Sequence, residues 1–107
     1  MAIEIIDTKE LSFSDRSVQK SLVYKSPGVA TLVLKIKAGQ AIEPCVMTMQ
    51  VLYTIQSGNG QIFIGNEKAE IIAGNIIVVP AGETRSIQAA TDMSVLAFQF
   101  MPTNQSN

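Results

Sequence analysis

What most constrains this chain is its punctuation. Turn-forming residues recur at short, regular intervals: Ser26-Pro27-Gly28, Ala38-Gly39-Gln40, Ser57-Gly58-Asn59-Gly60, Gly65-Asn66, Pro80-Ala81-Gly82 and Thr91-Asp92. The segments between them are rich in Val, Ile, Thr and aromatic residues. That rhythm belongs to an all-β sandwich or barrel, not to a helical bundle or a βαβ protein.

Within that frame the strands can be placed. Val29 to Lys37 alternates Leu32, Leu34 and Ile36 with Lys35 and Lys37, as a half-buried strand with its lysines outward would. A second strand is expected over Cys45 to Ile55. Gln61 to Ile64 and Lys68 to Ile72 flank Gly65-Asn66, a hairpin turn suited to residues that tolerate positive φ. Ile76 to Val79, Thr84 to Ala89 and Met93 to Met101 complete the set. The polar stretch Asp7 to Lys20 is open to a helical turn, an extended arm or a loop. Three regions follow: residues 1–25 as an N-terminal arm or edge strand, 26–101 as the β-domain, and 102–107 as a flexible tail with little to bury.

Bulk properties narrow the function. A length of 107 residues suits one domain, and 47% hydrophobic against 16% charged residues can supply its core. The formal net charge is −1 and the lysines and arginines are scattered, so the basic stripe of a nucleic-acid-binding protein is missing. Cys45 is the sole cysteine, which excludes an intrachain disulfide. The N-terminus lacks the cationic region of a secretory signal, and no apolar run nears the roughly 20 residues that span a bilayer. A cytoplasmic protein without membrane association is the expectation.

The spacing of the glycines carries more. Gly39 is followed by five residues and Cys45, one residue and Met47, three residues and Val51, then six residues and Gly58. Farther on, Gly74 is followed by five residues and Pro80, then Gly82, Arg85 and Ala89. This resembles the two motifs of the cupin superfamily, over a stretch from about Val29 to Phe100. The resemblance implies a single small antiparallel barrel, a double-stranded β-helix of jelly-roll, RmlC-like type. It also places the usual metal ligands at Cys45, Met47, Val51 and Arg85, where none of the family's histidines or its glutamate stands; Ala89 replaces the asparagine. The scaffold positions are kept and the ligand positions are changed.

Reading Cys45 to Ile55 as one strand, side chains of one parity are Cys45, Met47, Met49, Val51, Tyr53 and Ile55, the more apolar set. The resemblance points the same parity into the barrel. The expected lumen is therefore lined by Cys45, Met47, Met49, Val51 and Tyr53, with Arg85 near the mouth and no metal or other cofactor. Divalent metals need imidazole, carboxylate or several thiolates. The soft pair Cys45 and Met47 leaves Cu(I) open, against ordinary packing of a buried Cys and Met.

Arg85 is the most informative residue. A buried guanidinium needs a partner or a route to water. Its planar fork suits a carboxylate or phosphate ligand; Glu43, Glu67 or Glu83, or escape to solvent, are the alternatives. With no histidine in the chain there is no Ser-His-Asp or Cys-His set, and no paired acid and base stands out. The leading expectation is a metal-free barrel that binds a small, partly apolar, anionic molecule. An enzyme using the same pocket, with Cu(I) at Cys45 and Met47 as one form, is an alternative; a packed lumen in an interaction protein is another. The strand Met93 to Met101 is apolar on both parities, which suggests a cover other than the domain's own core; cupins often dimerise, so the resemblance implies a homodimer.

Overall fold

Residues two apart along a strand share a face, so each run of alternating Val, Ile and Leu presents one side to a core and one to its surroundings. The computed structural model describes residues 2–101, and nine such strands form in it. They are β1 (Gln19–Lys25), β2 (Val29–Ile36), β3 (Ala41–Val46), β4 (Gln50–Ser57), β5 (Asn59–Ile64), β6 (Glu67–Ile72), β7 (Ile76–Val79), β8 (Thr84–Ala89) and β9 (Met93–Phe100). A five-stranded sheet runs β1-β2-β9-β4-β7, and a four-stranded sheet runs β3-β8-β5-β6. All pairings are antiparallel. This is a jelly roll of two facing sheets and not a closed barrel: β6 and β7 follow one another in the chain yet form the edges of different sheets.

The core fills the space between the sheets. Leu34 and Ile36 of β2, Tyr53 and Ile55 of β4, Ile87 of β8, and Met93 and Val95 of β9 are among its buried members. Among the described residues no helix is long and apolar enough to cross a membrane.

Turn chemistry fixes the crossings. Gly58 has φ 82°, and a Cβ there would meet the Asp92 carbonyl oxygen at 2.1 Å, so no other residue fits where β4 passes to β5. Gly82 has φ 85°, and its N–H donates to the Met47 carbonyl at 2.8 Å, tying the turn before β8 to the segment after β3. In the Gly65-Asn66 hairpin only Gly65 takes positive φ, 56°, as the first central residue of a type II′ turn does.

Two strand expectations are corrected. Cys45 to Ile55 is not one strand: β3 ends at Val46, Met47 to Met49 bends, and β4 begins at Gln50. The chain is leaving one sheet for the other there, so alternation cannot be carried through the bend. Lys35 does not point into water. It is buried, and its Nζ lies 5.4 Å from the centre of the Phe13 ring, so a cation on the outer face of β2 is roofed by the N-terminal arm. That arm forms a short 3-10 turn, Thr8–Glu10, capped by the Asp7 carboxylate accepting from the Lys9 N–H. It is then held by the Lys37–Asp15 ion pair at 2.8 Å and by Gln40 donating to the Ser14 carbonyl at 2.7 Å.

Candidate functional site

Cross-strand register builds the site. On the inner face of the four-stranded sheet, Ile64 of β5, Arg85 of β8 and Cys45 of β3 stand side by side. Facing them on the other sheet are Gln99 and Val51, paired across β9 and β4, with Tyr53 paired to Ile77 one step deeper. Val51 and Tyr53 are buried, Met47 and Met49 are partly exposed at the rim, and Cys45 is exposed. The expected lumen set is thus split between floor and lip. Cys45 reaches the lip because β3 carries a register shift between Ile42 and Cys45.

Arg85 is only 5% exposed, so escape to solvent is not its solution. Nor is an internal carboxylate: among the described residues the one ion pair is Lys37–Asp15, and Glu43, Glu67 and Glu83 leave Arg85 unpaired. Instead its Nε donates to the Tyr53 hydroxyl at 2.7 Å and its Nη2 donates to the Met47 sulfur. The Gln99 side chain also donates to that sulfur, at 3.8 Å. Burial pushes the Tyr53 hydroxyl above its ordinary value, with the Arg85 hydrogen bond and charge opposing. The phenol therefore stays neutral at physiological pH. The Arg85 charge is held by two neutral acceptors, one of them a thioether, which is a weak one.

A cleft of about 760 Å³ opens along the seam between β6 and β7. Its walls mix apolar Ile62, Ile64, Ile71 and Ile77 with charged Glu67, Lys68, Glu70 and Glu83. None of the six residues expected to line a cavity borders it. Two of its walls, however, are the cross-strand neighbours of the buried pair: Ile64 beside Arg85 and Ile77 beside Tyr53. Cys45 borders a separate cleft of about 490 Å³ between the start of β1 and β3, together with Arg16, Lys20 and Glu43. Ile64 and Ile77 are the site residues the sequence reading missed, and Gln99 is one whose orientation the sequence left open. Their apolar or neutral character carries no motif, and only the pairing of distant strands brings them to Arg85.

The metal implied by the cupin resemblance does not fit these residues. Among the described residues no three His, Cys, Asp or Glu side chains are grouped to hold an ion. The Cu(I) alternative meets the same obstacle, because the Met47 sulfur that would bind it already faces a guanidinium.

A family model described as "Protein of unknown function (DUF2860)" matches residues 37–106. No curated protein matches the sequence. Solved structures do. An RmlC-like cupin protein from Desulfovibrio desulfuricans superposes with a TM-score of 0.78 at 23% identity, over 94% of this chain and 97% of that one. A cupin superfamily protein from Desulfitobacterium hafniense gives 0.80 at 16% identity, over 86% and 84%. An uncharacterized conserved protein with a double-stranded β-helix domain from Klebsiella pneumoniae gives 0.84 at 20% identity, over 98% and 95%. The fold is that of a small cupin.

Proposed function

The chain belongs to the family of proteins of unknown function DUF2860, and on its cupin fold we propose a metal-free binding module for a small anion with an apolar tail. Arg85 meets the anionic group and the β6–β7 cleft takes the hydrocarbon. The observation that carries this is a buried guanidinium whose described partners, Tyr53 and Met47, are both neutral. A carboxylate would displace the Met47 sulfur, since an ionised, bidentate acceptor holds a guanidinium more strongly than a neutral thioether does. Ile64 and Ile77 connect that position to the isoleucines in the mixed wall of the cleft. Tyr53, with its hydroxyl already on Arg85, holds the fork in place.

Octanoate, octan-1-ol and inorganic phosphate separate the parts of this reading in isothermal titration calorimetry. Octanoate should saturate at least about tenfold more tightly than octanol, the equivalent of one charge-assisted hydrogen bond. Arg85→Gln should erase that difference while octanol binding stays as it was. No saturable binding of octanoate would sink the reading, and equal affinity for acid and alcohol would remove Arg85 from it. A second reading rests on the Met47 cap itself: the space over Arg85 is closed by the chain's own side chain, and the protein acts through its surface. Met47→Ala tightens octanoate binding if the cap is displaceable, and leaves the protein silent to octanoate if the lumen is merely packed.

A further inference from the structure

Among the described methionines, Met47 alone has a sulfur that accepts hydrogen bonds. The guanidinium of Arg85 on β8 and the side-chain amide of Gln99 on β9 both donate to it. A thioether is a weak acceptor, so a cation and an amide share the poorest acceptor at the site. The Met47 backbone is fixed there, its carbonyl accepting from the Gly82 N–H at 2.8 Å. The side chain therefore pivots on a held root, with the freedom of an unbranched chain. It is partly exposed at the rim, whereas Met93 is wholly buried in the core.

A single oxygen atom on that sulfur turns a weak acceptor into a strong one. We propose that Met47 is an oxidation site, and that its sulfoxide bolts the cap over Arg85. Hydrogen peroxide is the oxidant, and the step balances. The sulfur lone pair attacks one peroxide oxygen, the O–O bond breaks, and the departing hydroxide takes the proton of the sulfur-bound hydroxyl to leave as water. Sulfur is oxidised by two electrons and the peroxide is reduced by two. Attack follows when Met47 swings off the fork, because a sulfur engaged by N–H donors is a poor nucleophile. The sulfoxide then returns to donors that hold it better than they held the thioether. Methionine oxidation ordinarily weakens a fold by putting a polar group into hydrocarbon. Met47 reverses that sign, since the new oxygen meets a guanidinium and an amide at a partly exposed rim. A second effect rests on the anion-binding reading: a bolted cap keeps octanoate from Arg85.

Dilute hydrogen peroxide on the full chain carrying Cys45→Ser tests both effects, with the exposed thiol removed as a competing target. Peptide mass mapping reads the gain of one oxygen at each methionine. The melting temperature should rise by about 4 °C once Met47 is oxidised, the shift expected in a domain of this size when a neutral hydrogen bond becomes a stronger one. The same treatment of the chain carrying Cys45→Ser and Met47→Leu should give no rise. In calorimetry the octanoate Kd should increase at least about tenfold on oxidation. An unchanged or lower melting temperature with Met47 oxidised would overturn the proposal, as would a rise that survives Met47→Leu. So would a Met47 left intact under conditions that convert Met49, which is also partly exposed. A higher melting temperature with unchanged octanoate affinity would overturn the effect on the anion alone. Absence of octanoate binding before oxidation sinks the earlier reading, and the melting temperature still decides this one.

Discussion

The two ends of the space between the sheets are built from the same strands and differ in chemistry. At one end Ile36 pairs with Met93, and Ile55 and Ala89 close in on them; every group is hydrocarbon or thioether and buried. At the other end the same β4, β8 and β9 present Val51, Arg85 and Gln99, and only Val51 is apolar. Two steps of two residues along β8, from Ala89 through Ile87 to Arg85, cross from one regime to the other. The apolar end stabilises the fold by area removed from water. The polar end holds a charge whose described hydrogen-bond acceptors are both neutral. The lesson is that one end can be altered with little loss of stability and the other cannot.

The sharpest way to break this comparison uses neighbours on one strand. Ile87→Ala should cost about 2–5 kcal/mol in chemical denaturation, the range for deleting a buried branched side chain. Arg85→Met should stay within about 1 kcal/mol of wild type or exceed it, because hydrocarbon of similar length spares the desolvation of a charge that no carboxylate offsets. Equal losses in the two variants would make Arg85 a structural residue and dissolve the distinction.

A smaller effect belongs to Tyr53. Tyr53→Phe removes the acceptor for the buried Arg85 Nε and should cost about 1.5–3 kcal/mol. It should also change the pH profile. Burial raises the Tyr53 hydroxyl above its ordinary value of 10.0, so the unfolded chain ionises first. The stabilisation is complete below that value and declines as pH climbs toward the folded one. Urea midpoints between pH 8 and pH 11 should fall more steeply for wild type than for Tyr53→Phe.

The least effect is expected at the exposed tether of the arm. Beside Asp15, Lys37 is raised from its ordinary value, and Asp15 is lowered beside Lys37. Both side chains are solvent-accessible, so salt should screen the pair. Lys37→Met should melt slightly below wild type at low ionic strength and together with it in molar salt. A persistent gap would mean that the arm over Lys35 depends on this contact.

Much of the fold was legible because its signals are local. Gly58, Gly65 and Gly82 stand where positive φ is needed, and positive φ excludes most other residues whatever the rest of the chain does. The strands from Ile76 to Val79 and from Thr84 to Ala89 follow from turn residues on both sides. The failures were non-local. Lys35 reads as outward-facing because nothing near it in sequence announces that Phe13 will roof it. The bend at Met47 to Met49 is hidden because both methionines keep the parity of Val51 and Tyr53 across it. Of the site, Tyr53 was legible in the alternation of its strand, and Arg85 only through the cupin resemblance. Their apolar neighbours Ile64 and Ile77 were not.

By itself, then, the order of residues determined the turns and most of the strands; that Cys45, Met47, Val51 and Arg85 stand at metal-ligand positions came only from the cupin resemblance. Turns and strands are properties of short segments, set by backbone sterics, side-chain periodicity and the chemistry of single residues. Only the tertiary structure decided that the sheets leave a seam open between β6 and β7, that Arg85 settles on Tyr53 and Met47 and not on a glutamate, and that Cys45 ends up on the lip. Each of these depends on the pairing of strands far apart in the chain, where one shift of register exchanges the inner face for the outer.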